Sequence, residues 1–255
     1  MSEQWDFYLC QVDGKPASIY LDLGIVSEAP IQGYGHVARI DLSMLAPRSD
    51  GLSSQVEFDR LNAIEDALCD QLIDHTHYVG RVTSDDQREF YFYLAAAEDW
   101  QDKVAAAMAL FPEYTYQTDV REDPQWQAYL EFLYPDDAAR HSISNRHVCD
   151  ALERNGDALD QPRVIDHWAY FPDEKARSMF ITRVAALGYE LREVWGPNED
   201  IDAHAVRVYR SDVPSYDNID DVTHALLYVA AELGGEYDGW ECAVVKETEA
   251  ASRSE

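Results

Sequence analysis

Basic residues are scarce in this chain, which has 20 lysines and arginines against 49 aspartates and glutamates. The formal net charge of -29 repels the phosphate backbones of nucleic acids and the surfaces of anionic lipids, and it favours basic partners. The acidic residues occur in both halves of the sequence, so the charge is not that of a terminal tail. Bare nucleic acid is therefore not expected as a ligand, while a role of the charge in solubility alone stays open as an alternative.

Cysteine and long apolar runs are also scarce. The four cysteines (Cys10, Cys69, Cys149 and Cys242) stand far apart, without the paired spacing of zinc sites or redox motifs, so we expect reduced thiols and no disulfide. No apolar stretch is long enough to cross a bilayer, and the start of the chain, Met-Ser-Glu-Gln-Trp, has no basic region of a secretion signal. These features predict a cytoplasmic protein without a membrane partner.

Motifs of catalysis and of metal or cofactor binding are missing as well. No G-x-S-x-G or phosphate-loop motif is present, and the segment 33–38, which has the letters of a dinucleotide fingerprint, precedes a strand where phosphate binding needs a helix. Asp166 and His167 are neighbours on a predicted strand and point to opposite faces, so they do not form a catalytic dyad. His75 and His77 lack the further ligands that zinc requires. We expect no enzymatic activity, no metal and no cofactor.

Apolar residues make up 46% of the 255 residues, which is enough for packed cores, and the chain is long enough for two domains. In the first half, Asp13-Gly14 predicts a hairpin turn, and apolar residues at three- and four-residue steps between Phe58 and Leu72 predict an amphipathic helix. We predict an α+β protein whose first domain, residues 1–135, is an antiparallel sheet with covering helices. Pro135 and the polar residues after it predict a linker over 136–143.

The second half has the pattern strand, helix, strand, strand, helix, strand between Arg163 and Val245. This β-α-β-β-α-β order is that of ferredoxin-like domains, a scaffold that often binds partners. A preceding helix is predicted to begin at about Ser144. We predict a ferredoxin-like domain over residues 144–248 and a disordered tail over 249–255.

Several motifs of the first half are similar to a bacterial family known as domain of unknown function 695. They are the segment Gly14 to Ile19, Tyr78-Val79-Gly80-Arg81, the strand Phe90-Tyr91-Phe92-Tyr93, and the stretch Arg121 to Trp126 followed by Tyr129 and Phe132 to Pro135. The resemblance implies no activity.

The second half resembles the family of the regulator of ribonuclease activity B, a protein inhibitor of ribonuclease E. The resemblance extends from about Val148 to Glu247 and rests on Ala151-Leu152-Glu153, Gly156-Asp157, Arg163 to Phe171 and Gly235 to Trp240. It implies a ferredoxin-like fold and binding to an RNA-processing enzyme.

Alternation in the strand Val164 to Phe171 sends Asp166, Trp168 and Tyr170 to the face away from the helices. Tyr209 and Tyr237 from other strands are expected beside them. Aromatic rings among carboxylates suit an arginine-rich protein segment better than RNA, whose phosphates the acidic surface would repel. The alternative is that this face packs on the first domain or on a second copy of the chain. The predicted partner-binding residues are Asp166, Trp168, Tyr170, Tyr209, Tyr237, Asp238, Trp240 and Glu241.

The leading hypothesis is a non-catalytic, acidic regulatory protein that binds a basic or arginine-rich partner, for which ribonuclease E is one candidate. A second hypothesis makes the first domain a small-ligand receptor or an enzyme that the fused module controls. A deep pocket with converging polar groups in the first domain would favour that second hypothesis. Homo-oligomerisation is compatible with either one.

Overall fold

A computed structural model of the chain describes residues 2–72, 74, 76–198 and 202–246. The chain divides into two compact units, with the division between Ala139 and Arg140. Each unit contains one antiparallel sheet and its own helices, which confirms the predicted α+β class. His75 and the predicted tail over 249–255 lie outside the described residues.

The first unit is built on a six-stranded antiparallel sheet of order β1-β2-β4-β5-β3-β6. Its strands are β1 (Trp5–Val12), β2 (Lys15–Asp22), β3 (His36–Ser43), β4 (Thr76–Ser84), β5 (Gln87–Leu94) and β6 (Tyr116–Glu122). The predicted hairpin turn joins β1 to β2, with φ of 52° at Asp13 and 76° at Gly14. Positive φ at both central residues matches the twist of the strands, which explains the choice of Asp-Gly.

Two helices, α1 (Phe58–Leu72) and α2 (Trp100–Met108), cover one face of this sheet. The predicted stripe of α1 supplies Leu61, Ile64, Leu68 and Leu72, all of which are buried. Phe58, the first residue of the stripe, is instead exposed. The buried residues pack with alternate side chains of β3 and β5, so hydrophobic periodicity accounts for this core.

The other face of the first sheet is covered by the chain that continues from β6. Asp123 accepts hydrogen bonds from the backbone N–H groups of Gln127 (2.8 Å) and Ala128 (2.9 Å) and so starts a short helical segment. That segment, Ala128–Leu133, has the wider π-helical hydrogen bonding, as in the bond from the Tyr134 N–H to the Tyr129 carbonyl. The predicted short helix is therefore present, with a different hydrogen-bond pattern.

Helix α3 (Asp137–Arg154) begins three residues before the division between the units and continues as the first helix of the second unit. The helix begins well before Ser144, so most of the residues predicted as a linker are helical. Pro135 lies outside the helix, and the Asp136 carboxylate accepts a hydrogen bond of 2.8 Å from the Ala139 N–H, as an N-cap residue does. The proline therefore precedes the helix and does not prevent it.

The remaining elements confirm the predicted β-α-β-β-α-β order. They are β7 (Arg163–Phe171), α4 (Glu174–Ala185), β8 (Glu190–Trp195), β9 (His204–Asp212), α5 (Ile219–Glu232) and β10 (Glu236–Cys242). The four strands form an antiparallel sheet of order β10-β7-β9-β8. The central strand β7 therefore carries its side chains between those of β10 and β9.

Candidate partner-binding surface

Strand β7 separates a buried face from an accessible one, as its alternation predicts. Its buried residues Ile165, Ala169 and Phe171 are at most 1% exposed and lie on the side of α4 and α5. Asp166, Trp168 and Tyr170 are half-buried on the opposite side, which we call the open face. Because side chains alternate along a strand, the burial of Ile165, Ala169 and Phe171 places Asp166, Trp168 and Tyr170 together on the opposite face.

The neighbouring strands add further side chains to the open face. Tyr209 of β9 and Glu241 of β10 both lie opposite Asp166, and Arg207 lies opposite Trp168. Residues paired across an antiparallel sheet share a face and contact one another. Asp166 is therefore at the centre of the open face.

Two arginines of the chain itself already hold the Asp166 carboxylate. Arg192 Nε lies 2.5 Å from its Oδ1, and Arg207 Nη2 lies 3.0 Å from its Oδ2. The hydrogen bond to Asp166 raises the pKa of the Arg207 guanidinium. Arg207 Nη2 also lies 3.4 Å from Glu241 Oε1. Asp166 therefore organises the open face and has little capacity left for a partner.

The same two arginines stack on the predicted aromatic residues. The Arg207 guanidinium carbon lies 4.7 Å from the centre of the Trp168 ring, and that of Arg192 lies 4.3 Å from the centre of the Tyr209 ring. The Tyr209 hydroxyl donates a hydrogen bond of 2.6 Å to Glu190, which raises the pKa of Tyr209. The sequence prediction missed both arginines, although Arg207 stands two residues before Tyr209 and must share its face.

Tyr237 and Trp240 do not lie on the open face, so the expected place of Tyr237 beside Trp168 is wrong. Tyr237 pairs with Ala169 and is 1% exposed, and its hydroxyl lies 2.9 Å from His167 Nδ1. The reason is a β-bulge between Tyr237 and Gly239, which reverses the alternation that simple counting back from Glu241 assumes. Tyr237 therefore belongs to the core of the second unit.

The bulge also determines the positions of Asp238 and Trp240. Asp238 is the extra residue and is exposed, whereas Trp240 is 8% exposed. The Trp240 indole N–H donates a hydrogen bond of 2.8 Å to the Asn145 side-chain carbonyl of α3. The Asn145 amide in turn donates to Thr223 and to Asp220 of α5, both at 2.7 Å. This network fixes Trp240 against two helices.

A cleft of about 360 Å³ opens beside the bulge, and we call it the bulge cleft. On the sheet side it is lined by Trp168 and Tyr170 and by the segment 238–241. On the helix side it is lined by His141, Ser144, Asn145 and Val148 of α3. Burial first, and then the nearby carboxylates of Asp238 and Glu236, raise the pKa of Tyr170. The predicted residues are thus divided among the open face, the bulge cleft and the core.

The first unit has a concave region of about 350 Å³ between its strands and the π-helical segment, and this region is more enclosed than the bulge cleft. Three of its polar side chains, Arg39, Glu89 and Tyr91, are paired within the sheet. Arg39 Nε lies 2.7 Å from Asp41 Oδ1, and the Tyr91 hydroxyl donates a hydrogen bond of 2.6 Å to Glu89. Burial and Glu89 raise the pKa of Tyr91. These paired groups form part of the polar lining, and Asp13, Asp119 and Arg121 form the rest of it.

Within residues 2–72, 74, 76–198 and 202–246, no group of three or more His, Cys, Asp or Glu side chains is placed to hold a metal ion. The same ranges contain no helix with the length and apolar character needed to span a membrane. The four cysteines are unpaired thiols, and burial raises the pKa of Cys149 to about 12. That thiol is therefore protonated and unreactive at neutral pH.

The fold and the surface define a two-unit α+β protein in which a four-stranded sheet presents an arginine–aromatic face. Residues 3–134, more than half of the chain, match the model of a family of unknown function, DUF695, and the chain belongs to that family. Residues 142–242 match the model of the family described as regulator of ribonuclease activity B. Both resemblances seen in the sequence are thereby confirmed, and the second relates this unit to regulators of ribonuclease activity.

Comparison with individual proteins adds little to these family matches. No curated protein matches the chain. Among solved structures, an unknown protein from Galdieria sulphuraria is similar over 81% of this chain and 97% of its own, with 13% identity and a TM-score of 0.22. A putative glycine cleavage system transcriptional repressor is similar over 80% of this chain and 95% of its own, with 8% identity and a TM-score of 0.25. With TM-scores this low, neither likeness carries an argument about fold or function.

Proposed function

We propose that the second unit binds a basic, arginine-rich segment of a cytoplasmic RNA-processing enzyme, with ribonuclease E as a candidate, and thereby regulates that enzyme without catalysing a reaction. The observation that carries the proposal is the match of residues 142–242 to the regulator of ribonuclease activity B. The electrostatics of the open face support it.

Carboxylates outnumber guanidinium groups around the open face. Besides Asp166, the register places Glu190, Glu193, Glu236 and Glu241 on this side of the sheet, against Arg192 and Arg207. Since Arg192 and Arg207 are paired with Asp166, the exposed carboxylates dominate the field that a partner meets. Such a surface attracts a basic segment and increases its association rate.

Binding of this kind regulates by competition. Basic segments of RNA-processing enzymes hold RNA through its phosphates, and an acidic protein surface that covers such a segment displaces the RNA. Direct RNA binding by the open face is disfavoured because its carboxylates repel phosphate and because Arg207 and Arg192 already cover the Trp168 and Tyr209 rings. The chain is thus proposed to act on the enzyme and not on the RNA.

The test uses purified full-length chain and ribonuclease E in an RNA cleavage assay, with binding followed in parallel. Glu193→Lys combined with Glu236→Lys reverses two exposed charges of the open face. We expect the affinity to fall by about 10-fold or more at low salt, since two exposed ion pairs, each worth up to about 1 kcal/mol, are replaced by like-charge contacts. Cleavage should recover accordingly.

The matched control is Asp66→Lys with Asp70→Lys, which makes the same change of net charge on exposed positions of α1 in the first unit. This control should keep the affinity of the unchanged protein. An equal loss of affinity in both variants would show that net charge, and not the open face, determines binding. The absence of any binding by the unchanged chain would refute the proposal for this enzyme.

A further inference from the structure

The segment Asp238 to Glu241 forms the floor of the bulge cleft. Gly239 has a φ of 151°, which disfavours any residue with a side chain, and a Cβ placed on it would meet no heavy atom within 4 Å. The space above Gly239 is therefore open. The bulge adds Asp238 at the edge of this space, as bulges do where a side chain must be redirected.

The walls of the cleft are held in place before any ligand binds. Trp240 is fixed by Asn145, and the Asn145 amide is fixed by Thr223 and Asp220. Asn145 is 2% exposed and uses both polar atoms of its side chain within this network. Such support keeps the lining residues in one geometry, which reduces the entropic cost of binding.

The lining of the cleft combines aromatic rings with carboxylates. Trp168 and Tyr170 lie on the sheet side, together with the carboxylate residues Asp238 and Glu241, which are both exposed. Among the described residues that line the cleft, none is a lysine or an arginine. Arg207 stacks on Trp168 but is not part of the lining, so the cleft meets a portion of the indole that Arg207 leaves uncovered.

Rings beside carboxylates favour a cation over an anion or an apolar group. A guanidinium fits better than an ammonium, because its plane stacks on an aromatic face while its N–H groups reach a carboxylate. The pair of Arg207 with Trp168, Asp166 and Glu241 has this arrangement on the open face of the same sheet. The cleft offers a neighbouring place for the same chemistry, which shares Trp168 and Glu241 with Arg207 and adds Tyr170 and Asp238.

We infer that the bulge cleft binds the guanidinium group of an arginine side chain supplied by the partner, with Trp168 and Tyr170 as its aromatic contacts and Asp238 and Glu241 as its carboxylate partners. The identity of the partner rests on the proposed function, whereas the binding of a guanidinium does not. The inferred arginine is thus the anchoring residue of the basic segment.

The experiment titrates the full-length, isotope-labelled chain with N-acetyl-arginine amide and follows the amide signal of Gly239 and the indole signals of Trp168 and Trp240 by NMR. The neutral isostere N-acetyl-citrulline amide is titrated in parallel. We expect saturable shifts of these signals with the arginine probe and at least tenfold weaker binding of the citrulline probe. Equal binding of the two probes, or the absence of saturable shifts, would overturn the inference.

Two variants locate the site. Ser144→Arg places a guanidinium of the chain itself at the rim of the cleft from an exposed position of α3, and it should weaken binding of the arginine probe at least tenfold. Ser144→Gln has similar bulk without charge and should bind nearly as well as the unchanged chain. Unchanged binding in Ser144→Arg would place the probe elsewhere and overturn the inference.

The outcome is separable from that of the proposed function. Failure of the proposed function is read from the loss of ribonuclease regulation or from its indifference to Glu193 and Glu236, neither of which lines the cleft. Failure of guanidinium binding in the cleft is read from the probe titration alone. If the Ser144→Arg variant binds and regulates the enzyme normally, the proposed function stands, and the cleft is not the place where an arginine of the partner binds.

Discussion

The two sheets use aromatic residues on corresponding faces in opposite ways. On the face of the first sheet away from α1 and α2, the Tyr93 ring stacks on Trp126 with ring centres 3.9 Å apart, and both rings are fully buried. On the face of the second sheet away from α4 and α5, Trp168 and Tyr209 are half-buried and stack on arginines. The same residue types thus form a core in one unit and a polar surface in the other.

The difference arises from the source of the groups that cover the rings. After β6, Asp123 starts the segment that places Trp126 over Tyr93, and the Tyr93 hydroxyl donates a hydrogen bond of 2.6 Å to the Asp123 carboxylate. The aromatic rings are covered and their polar tips are satisfied. In the second unit, the groups that cover Trp168 and Tyr209 are charged side chains on adjacent strands. An aromatic residue on a strand therefore identifies a surface only when its cover is known.

The largest expected effect is the difference in stability cost between replacing Trp126 in the first unit and Trp168 in the second. Trp126→Ala removes a fully buried ring and the hydrogen bond of 2.8 Å from its indole to the Tyr34 carbonyl, so it should lower the free energy of unfolding of the first unit by about 3–5 kcal/mol. Trp168→Ala should cost the second unit less than about 1.5 kcal/mol, because its ring is only half-buried. Urea titration of both variants measures this, and similar losses in the two would contradict the assignment of core and surface.

The next effect concerns a buried histidine. Burial lowers the pKa of His167 to about 4, since its Nε2 lies buried without a hydrogen-bond partner among the described residues. An unfolded chain has the usual value near 6.5 and so binds the proton more readily. The free energy of unfolding therefore has its full value above pH 6.5, where His167 is neutral in both states, and it decreases progressively as the pH falls towards 4. The total loss is at most about 3 kcal/mol.

The variant His167→Gln cannot take up this proton, so its unfolding free energy should depend less on pH between 6.5 and 4 than that of the unchanged chain. His77 of the first unit serves as the comparison. Its pKa is also lowered by burial, but its side chain is partly exposed, and His77→Gln should change the pH dependence less. Identical slopes for the unchanged chain and His167→Gln would show that His167 is not the group responsible.

The smallest expected effect tests the arginine–aromatic pairs. Arg207→Lys keeps the charge beside Asp166 but loses the planar stacking on Trp168, which should cost about 0.5–1 kcal/mol in the second unit. Arg48→Lys in the first unit changes an exposed arginine that pairs with Asp50, and it should cost less than about 0.5 kcal/mol. Thermal unfolding of the two variants measures these costs. An equal cost would show that stacking on Trp168 adds no stability beyond that of an ordinary exposed ion pair.

Local sequence patterns are sufficient to predict most of the fold. The α1 stripe, the Asp13-Gly14 turn and the alternation in β7 each result from a period or a backbone preference within a few residues. The open-face positions of Asp166, Trp168 and Tyr170 result from the same alternation.

The features that sequence reasoning misses depend on distant partners or on a single added residue. The bulge at Asp238 reverses the expected side of Tyr237, and a one-residue change of register has this effect on every later side chain. Arg192 of β8 and Arg207 of β9 both contact Asp166 of β7, so their roles depend on how these three strands are arranged in the sheet. The early start of α3 is missed because Pro135 resembles an obstacle to a helix, whereas it is the residue before the cap.

The early start of α3 also has a practical consequence for anyone who dissects the chain into pieces. A fragment that begins at Ser144, where the pattern of the sequence places the second domain, lacks His141 of the cleft wall and Ser142, whose hydroxyl lies 3.2 Å from His224 Nε2 of α5. It would also expose a helix end without its cap at Asp136. We expect a fragment that begins at Ser144 to give false negatives in binding screens. A fragment that begins at Pro135 keeps both the helix cap and the cleft wall.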